Sequence, residues 1–91
     1  VSPTDPQALI SRVARRIAEL RRTKGLTQAE FAERLRCSVQ YVGLVERGKQ
    51  NLTLGKLAEI ANVLGTTFED LVKKPKRRSL EIKKGRPSGK G

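Results

Sequence analysis

The 91-residue sequence contains no histidine, no methionine and no tryptophan, and its only cysteine is Cys37. Without histidine, the Ser-His and Cys-His pairings of nucleophilic catalysis and every His-bearing metal site are excluded. A lone thiol cannot close a disulfide within the chain, which fits a reducing compartment. No apolar run approaches the ~20 residues of a membrane span, and no signal-peptide core precedes a cleavage site. These absences point to a domain expected to be non-catalytic, with no metal, no cofactor and no membrane role, in a reducing compartment such as the cytoplasm.

What the sequence holds in excess is positive charge: 20 Lys+Arg against 9 Asp+Glu, a net +11. The excess is uneven. Residues 1–72 carry 11 basic and 8 acidic residues, whereas residues 73–91 carry 9 basic residues and the single acid Glu81. That end segment has two prolines, repeated glycines, and only Leu80 and Ile82 as large apolar residues. It cannot bury enough apolar surface to offset the entropy of ordering. The expected organisation is one domain at 6–74 followed by a disordered basic tail at 75–91. Lys76, Arg77, Arg78, Lys83, Lys84 and Arg86 are the tail's candidate DNA contacts, since a polycationic arm binds phosphates by releasing counterions. Lys83-Lys84-Gly85-Arg86-Pro87 also resembles an AT-hook, whose Gly-Arg-Pro enters a narrow minor groove. A generic basic arm is the simpler alternative.

The domain reads as five short helices. Asp5-Pro6 starts the first, with Ile10, Val13, Ile17 and Leu20 as its apolar stripe and Gly25 as its end. Thr27 and Glu30 form a capping box for the second, whose inward residues are Phe31, Ala32 and Leu35. Ser38 caps the third, with Tyr41, Val42 and Val45 inward and Gly48 as its stop. Thr53 caps the fourth, whose expected core residues are Leu54, Leu57, Ala58, Ala61 and Leu64, with Gly65 terminating it. Thr67 precedes a last helix through Phe68, Leu71 and Val72, and Pro75 ends it. No stretch alternates with the period of a strand, so the fold class is all-α. Helices at 28–36 and 39–47, joined around Cys37-Ser38, make a tight pair in which Ala32 must be small. Such a unit is a helix-turn-helix, whose second helix can enter the major groove.

Residues 25–72, from Gly25-Leu26-Thr27-Gln28 through Glu46-Arg47-Gly48, Asn51 and Leu57-Ala58, resemble the lambda-repressor/Cro (XRE) helix-turn-helix family. The stretch Tyr41 to Leu54 is also similar to restriction–modification controller proteins. The resemblance implies a compact lambda-repressor-like domain that binds double-stranded DNA as a transcriptional regulator, often a repressor, usually as a homodimer. Carried over by position, Gln28 would contact a phosphate and brace the recognition helix, and Ser38 would cap that helix and touch the backbone. Val39, Gln40, Gly43 and Leu44 would form the outward, base-reading face, flanked by Tyr41. Arg47, Lys49, Gln50 and Asn51 would meet the backbone from the following loop. Arg21 and Glu46 resemble a structural ion pair. Arg36 stands where the family commonly has glycine, implying a strained turn.

The reading face is poor in hydrogen-bonding groups: Gln40 suits adenine, while Val39 and Leu44 suit thymine methyls. Two alternatives follow. One is a helix-turn-helix used for docking a protein partner through Val39 and Leu44, and the other is a nonspecific binder dominated by its tail. The surface around Phe68, Leu71 and the end of the fourth helix is the expected dimer interface. With no initiating methionine, the sequence also fits the DNA-binding piece of a longer protein.

Overall fold

The computed structural model describes residues 5–74. They form α1 (Pro6–Thr23), α2 (Gln28–Leu35), α3 (Val39–Glu46), α4 (Leu54–Leu64) and α5 (Phe68–Val72). No strand occurs among the described residues. The tail contacts expected at Lys76, Arg77, Arg78, Lys83, Lys84 and Arg86, with the Gly-Arg-Pro segment, lie outside them.

Every helix starts at a side chain that satisfies an otherwise orphaned backbone N–H. Asp5 accepts from the Gln7 amide at 3.0 Å, with Pro6 at the first helical position. The capping box closes in both directions: Glu30 N–H donates to Thr27 Oγ1 at 3.0 Å, and Thr27 N–H donates to Glu30 Oε1 at 2.8 Å. The bond from the Thr27 backbone holds the Glu30 carboxyl below its ordinary pKa. Ser38, Thr53 and Thr67 each accept from the N–H three residues ahead, at 3.0 Å in all three cases. Caps of this kind contribute about 1 kcal/mol each.

The α2–α3 turn depends on a left-handed residue, and that residue is Arg36 at φ 60, ψ 46. Its N–H donates to Glu33 O at 3.1 Å and the Cys37 N–H donates to Ala32 O at 3.0 Å, so the helix end is closed. A Cβ in this region costs roughly 1 kcal/mol. Arg36→Gly is therefore expected to raise stability by about 0.5–1 kcal/mol, the gain being reduced by the greater unfolded-state freedom of glycine. Urea midpoints of the two proteins check this, and an unchanged or lowered midpoint would count against strain at the turn.

Ile17, Phe31, Val42, Ile60 and Leu71, one from each helix, are the largest fully buried side chains. α2 packs on α3 and α4, while α1 crosses α3, α4 and α5. Two core expectations need correction. α4 buries Leu57, Ile60, Ala61 and Leu64, while Ala58 is exposed and Leu54 is 73% exposed. The inward stripe follows the three-four spacing from Leu57, and Ala58 sits about 100° off it, on the solvent side. Leu54 shares the stripe's direction, but it stands on the first turn, beyond the edge of the core.

Helix α5 is tied back to α1 by side chains. Arg12 Nη1 donates to Val72 O at 2.6 Å, and Arg16 Nη2 donates to Asp70 Oδ2 at 2.7 Å. The Thr66 hydroxyl also donates to Asp70 Oδ2, at 2.8 Å. The Thr66 hydrogen bond, then Arg16, pulls the Asp70 pKa from 3.8 down to about 2. Folding thus favours the ionised carboxylate. The resulting stability is fully present above the unfolded pKa and is lost as pH falls from about 4 towards 2. Asp70→Asn should lower stability at neutral pH and flatten its pH dependence within that window. Urea unfolding across pH 2–7 reads both effects, and equally steep acid loss in the variant would contradict the assignment.

Candidate nucleic-acid interface

The interface is built on the pairing of α2 with α3. Val42 and Val45 anchor α3 in the core, and Tyr41 is half-buried against it. The Lys56 ammonium lies 5.9 Å from the centre of the Tyr41 ring, at the outer limit of a cation–π contact. Cys37 packs beside them, and burial pushes its thiol pKa up, so the less reactive protonated form is favoured. With those side chains turned inward, the N-terminal end of α3 faces water. Ser38 and Gln40 are exposed there, and Val39 is 42% exposed.

Two of the expected reading residues sit differently. Leu44 is half-buried, and Gly43 is buried. Gly43 does lie on the outward side of α3, but Arg47, one turn ahead, folds over it. A Cβ at Gly43 would stand 3.2 Å from Arg47 Nη1. The exposed reading end is therefore narrower than expected, consisting of Val39 and Gln40 with part of Leu44. In the following loop Lys49 and Asn51 are exposed and Gln50 is half-buried, and Arg47 is exposed at the helix end.

A polar brace fixes the direction of α3. Arg21 Nε donates to Glu46 Oε2 at 2.7 Å and Arg21 Nη2 donates to Glu46 Oε1 at 3.2 Å. The two side chains are only 11% and 6% exposed. Arg21 Nη1 also donates to Leu26 O at 2.7 Å, and Gln28 Nε2 donates to Glu46 Oε1 at 3.0 Å. The expected ion pair is present. The expected brace through Gln28 is reached by way of Glu46. The Leu26 carbonyl was not foreseen, because nothing in a residue pattern marks a main-chain acceptor.

Two further surfaces are concave. Arg15 and Arg22 line a concavity shared with Gln28, Gly43 and Arg47, although the sequence reading assigned them no role. On another side an apolar groove of about 430 Å³ runs between α1, the loop before α4, and α5, lined by Leu9, Val13, Leu54, Leu57, Phe68 and Val72. Leu71, expected at a dimer surface, is fully buried and cannot contribute to one. It faces the core because α5 is pressed onto both α1 and α4. Phe68, three residues before it, is half-buried and faces the groove. Among the described residues no group of His, Cys, Asp and Glu could hold a metal, and no helix is long and apolar enough to cross a membrane.

A capped α2 paired with a braced, capped α3 is the helix-turn-helix on which a class of DNA-binding, non-catalytic transcriptional regulators is built. The chain belongs to the HTH_3 helix-turn-helix family, whose model matches residues 17–71. It is 45% identical over 60 residues to an uncharacterized HTH-type transcriptional regulator, y4dJ, of Sinorhizobium fredii, across 66% of this chain and 78% of that protein. It is 34% identical to the HTH-type transcriptional regulator DdrOP3 of Deinococcus deserti, over 67% of this chain and 47% of that protein. The solved structure of the restriction-modification controller protein C.AhdI from Aeromonas hydrophila superposes with a TM-score of 0.69 at 34% identity, covering 74% of this chain and 97% of that one. The similarity to controller proteins noted from Tyr41 to Leu54 thus extends across the domain.

Proposed function

We propose that this regulator reads a short DNA site by setting α3 in the major groove, with domain 6–74 as the reader and segment 75–91 as an auxiliary cationic arm. The observation that carries the reading is the exposed Val39–Gln40 start of a helix whose C-terminal end is locked where Arg21 and Gln28 hold Glu46. A helix held in one orientation can present a side chain to a base edge at a repeatable position. Gln40 is suited to a bidentate contact with adenine, and Val39 and the free part of Leu44 to thymine methyls. Such a face reads few bases directly, so DNA shape contributes the rest. Ser38, Arg47, Lys49, Gln50 and Asn51 supply backbone contacts, with Gln28 beside them.

Two copies would pair through the apolar groove. Leu54 projects from its edge and Phe68 lines it, so one patch offers both a knob and a depression. That is the self-complementarity a two-fold interface requires. Paired copies read half-sites about one helical turn, roughly 34 Å, apart.

Selection from a random duplex library at roughly physiological salt tests the reading, using the full chain and a version ending at Lys74. Enrichment of one inverted repeat by both proteins supports a dimeric reader with an auxiliary arm. Enrichment of A·T-rich sequence by the full chain alone would overturn it in favour of a tail-driven binder. Enrichment by neither protein would favour the use of α3 for a protein partner.

A further inference from the structure

Helix α1 carries five arginines, and the structure divides them into two groups. Arg12, Arg16 and Arg21 are engaged within the fold by Val72 O, Asp70 and Glu46 at 2.6, 2.7 and 2.7 Å. Arg15 and Arg22 are exposed and make no hydrogen bond or ion pair among the described residues. They are seven residues apart, two turns along one face, which sets their backbones about 10.5 Å apart. That face does not look into bulk solvent alone. It forms one wall of a concavity of about 320 Å³ whose other walls are the start of α2 at Gln28 and the outward side of α3 at Gly43 and Arg47.

The charges in this notch do not cancel. Glu46 is neutralised by Arg21 and by the Gln28 amide, and so offers little to a further cation. Glu19, on the rim, is 62% exposed and lies 3.9 Å from Arg16, which draws part of its charge away. Arg15, Arg22 and Arg47 therefore face one weakly engaged carboxylate. Three guanidinium groups around a shallow polar hollow make an anion site, and their planar donor sets match phosphate oxygens. The floor at Gly43 has no side chain, so an anion can come close once Arg47 swings from above it.

We infer that Arg15 and Arg22, with Arg47, form a backbone clamp that grips the DNA phosphates beside the groove entered by α3. This assignment rests on the proposed reading of DNA by α3 and extends the footprint onto α1. It also accounts for two exposed cations that the fold does not use. The clamp adds affinity without adding base preference, because phosphates carry no sequence information.

The test uses the full-length chain and the duplex that chain selects, whatever its sequence. Affinity is measured from low to physiological salt for the parent protein, Arg15→Gln/Arg22→Gln and Arg15→Lys/Arg22→Lys. Loss of two phosphate contacts should reduce the salt slope by about 1.8 and weaken binding about tenfold or more at physiological salt. The lysine variant should keep most of the slope. Ethylation interference should lose two adjacent phosphates in the glutamine variant, whereas a mere change of net charge would leave the pattern in place. An unchanged slope and interference pattern would overturn the clamp. Gln40→Ala on the same duplex separates the two ideas. If base preference survives that change, the α3 reading fails, and the slope and footprint still decide the clamp.

Discussion

Replacing Arg21 by alanine is expected to cost about 3–5 kcal/mol, because it leaves the Glu46 carboxylate buried with only the Gln28 amide beside it. The Leu26 carbonyl would lose its donor in the same step. A domain of this size has a total stability of only about 5 kcal/mol or a little more, so the variant should be largely unfolded near body temperature. The double variant Arg21→Met/Glu46→Leu separates charge from packing. Removing both ions and filling the volume should recover most of the loss, since a buried pair contributes little against an apolar replacement. Urea midpoints of the three proteins check the sequence of stabilities. A loss below about 1 kcal/mol for Arg21→Ala would be that of a surface pair, and would contradict the brace.

Leu54→Asp is expected to separate paired copies by at least about 100-fold while leaving the isolated fold intact. Burying one leucine contributes about 1.5–3 kcal/mol, and a two-fold interface counts that residue twice. The sum of about 3–6 kcal/mol corresponds to at least two powers of ten in the dissociation constant. The monomer should tolerate the change, because Leu54 is 73% exposed and stands at the first position of α4. A carboxylate there meets the positive end of the helix dipole. Sedimentation equilibrium combined with thermal unfolding distinguishes the effects. Persistence of a dimer in the variant would move the interface elsewhere, and a monomeric parent protein would remove the need for one.

The local features of this fold could be read directly from the residues. Thr27 with Glu30, and Ser38, Thr53 and Thr67, each satisfy a donor three positions away, so a short window holds both partners. The strained turn at Arg36 was legible only through the family resemblance, which puts glycine at that position. Most of what escaped depends on partners distant in sequence. Ala58 and Leu54 are apolar and helical, yet the exact edge of the core, set by how α4 lies on α2 and α1, leaves them outside. Leu71 was placed at a surface because a five-residue helix does not reveal which neighbours will enclose it. The family resemblance singled out Arg21, but the other four arginines of α1 looked alike, and only contacts 54 and 60 residues away show that Arg16 and Arg12 are structural while Arg15 and Arg22 are not. Gly43 lay on the predicted outward face, but its covering by Arg47 is a matter of one side chain's conformation.

The proposed reading of an adenine edge by Gln40 in the major groove is tested by replacing adenines of the selected site, one at a time, with 7-deazaadenine. That change removes the major-groove N7 acceptor while keeping the Watson–Crick pair. At one position in each half-site the parent protein should lose about 1–3 kcal/mol of binding, and Gln40→Ala should lose nothing further there. Equal losses for both proteins at every position, or no loss at any, would contradict base reading by α3.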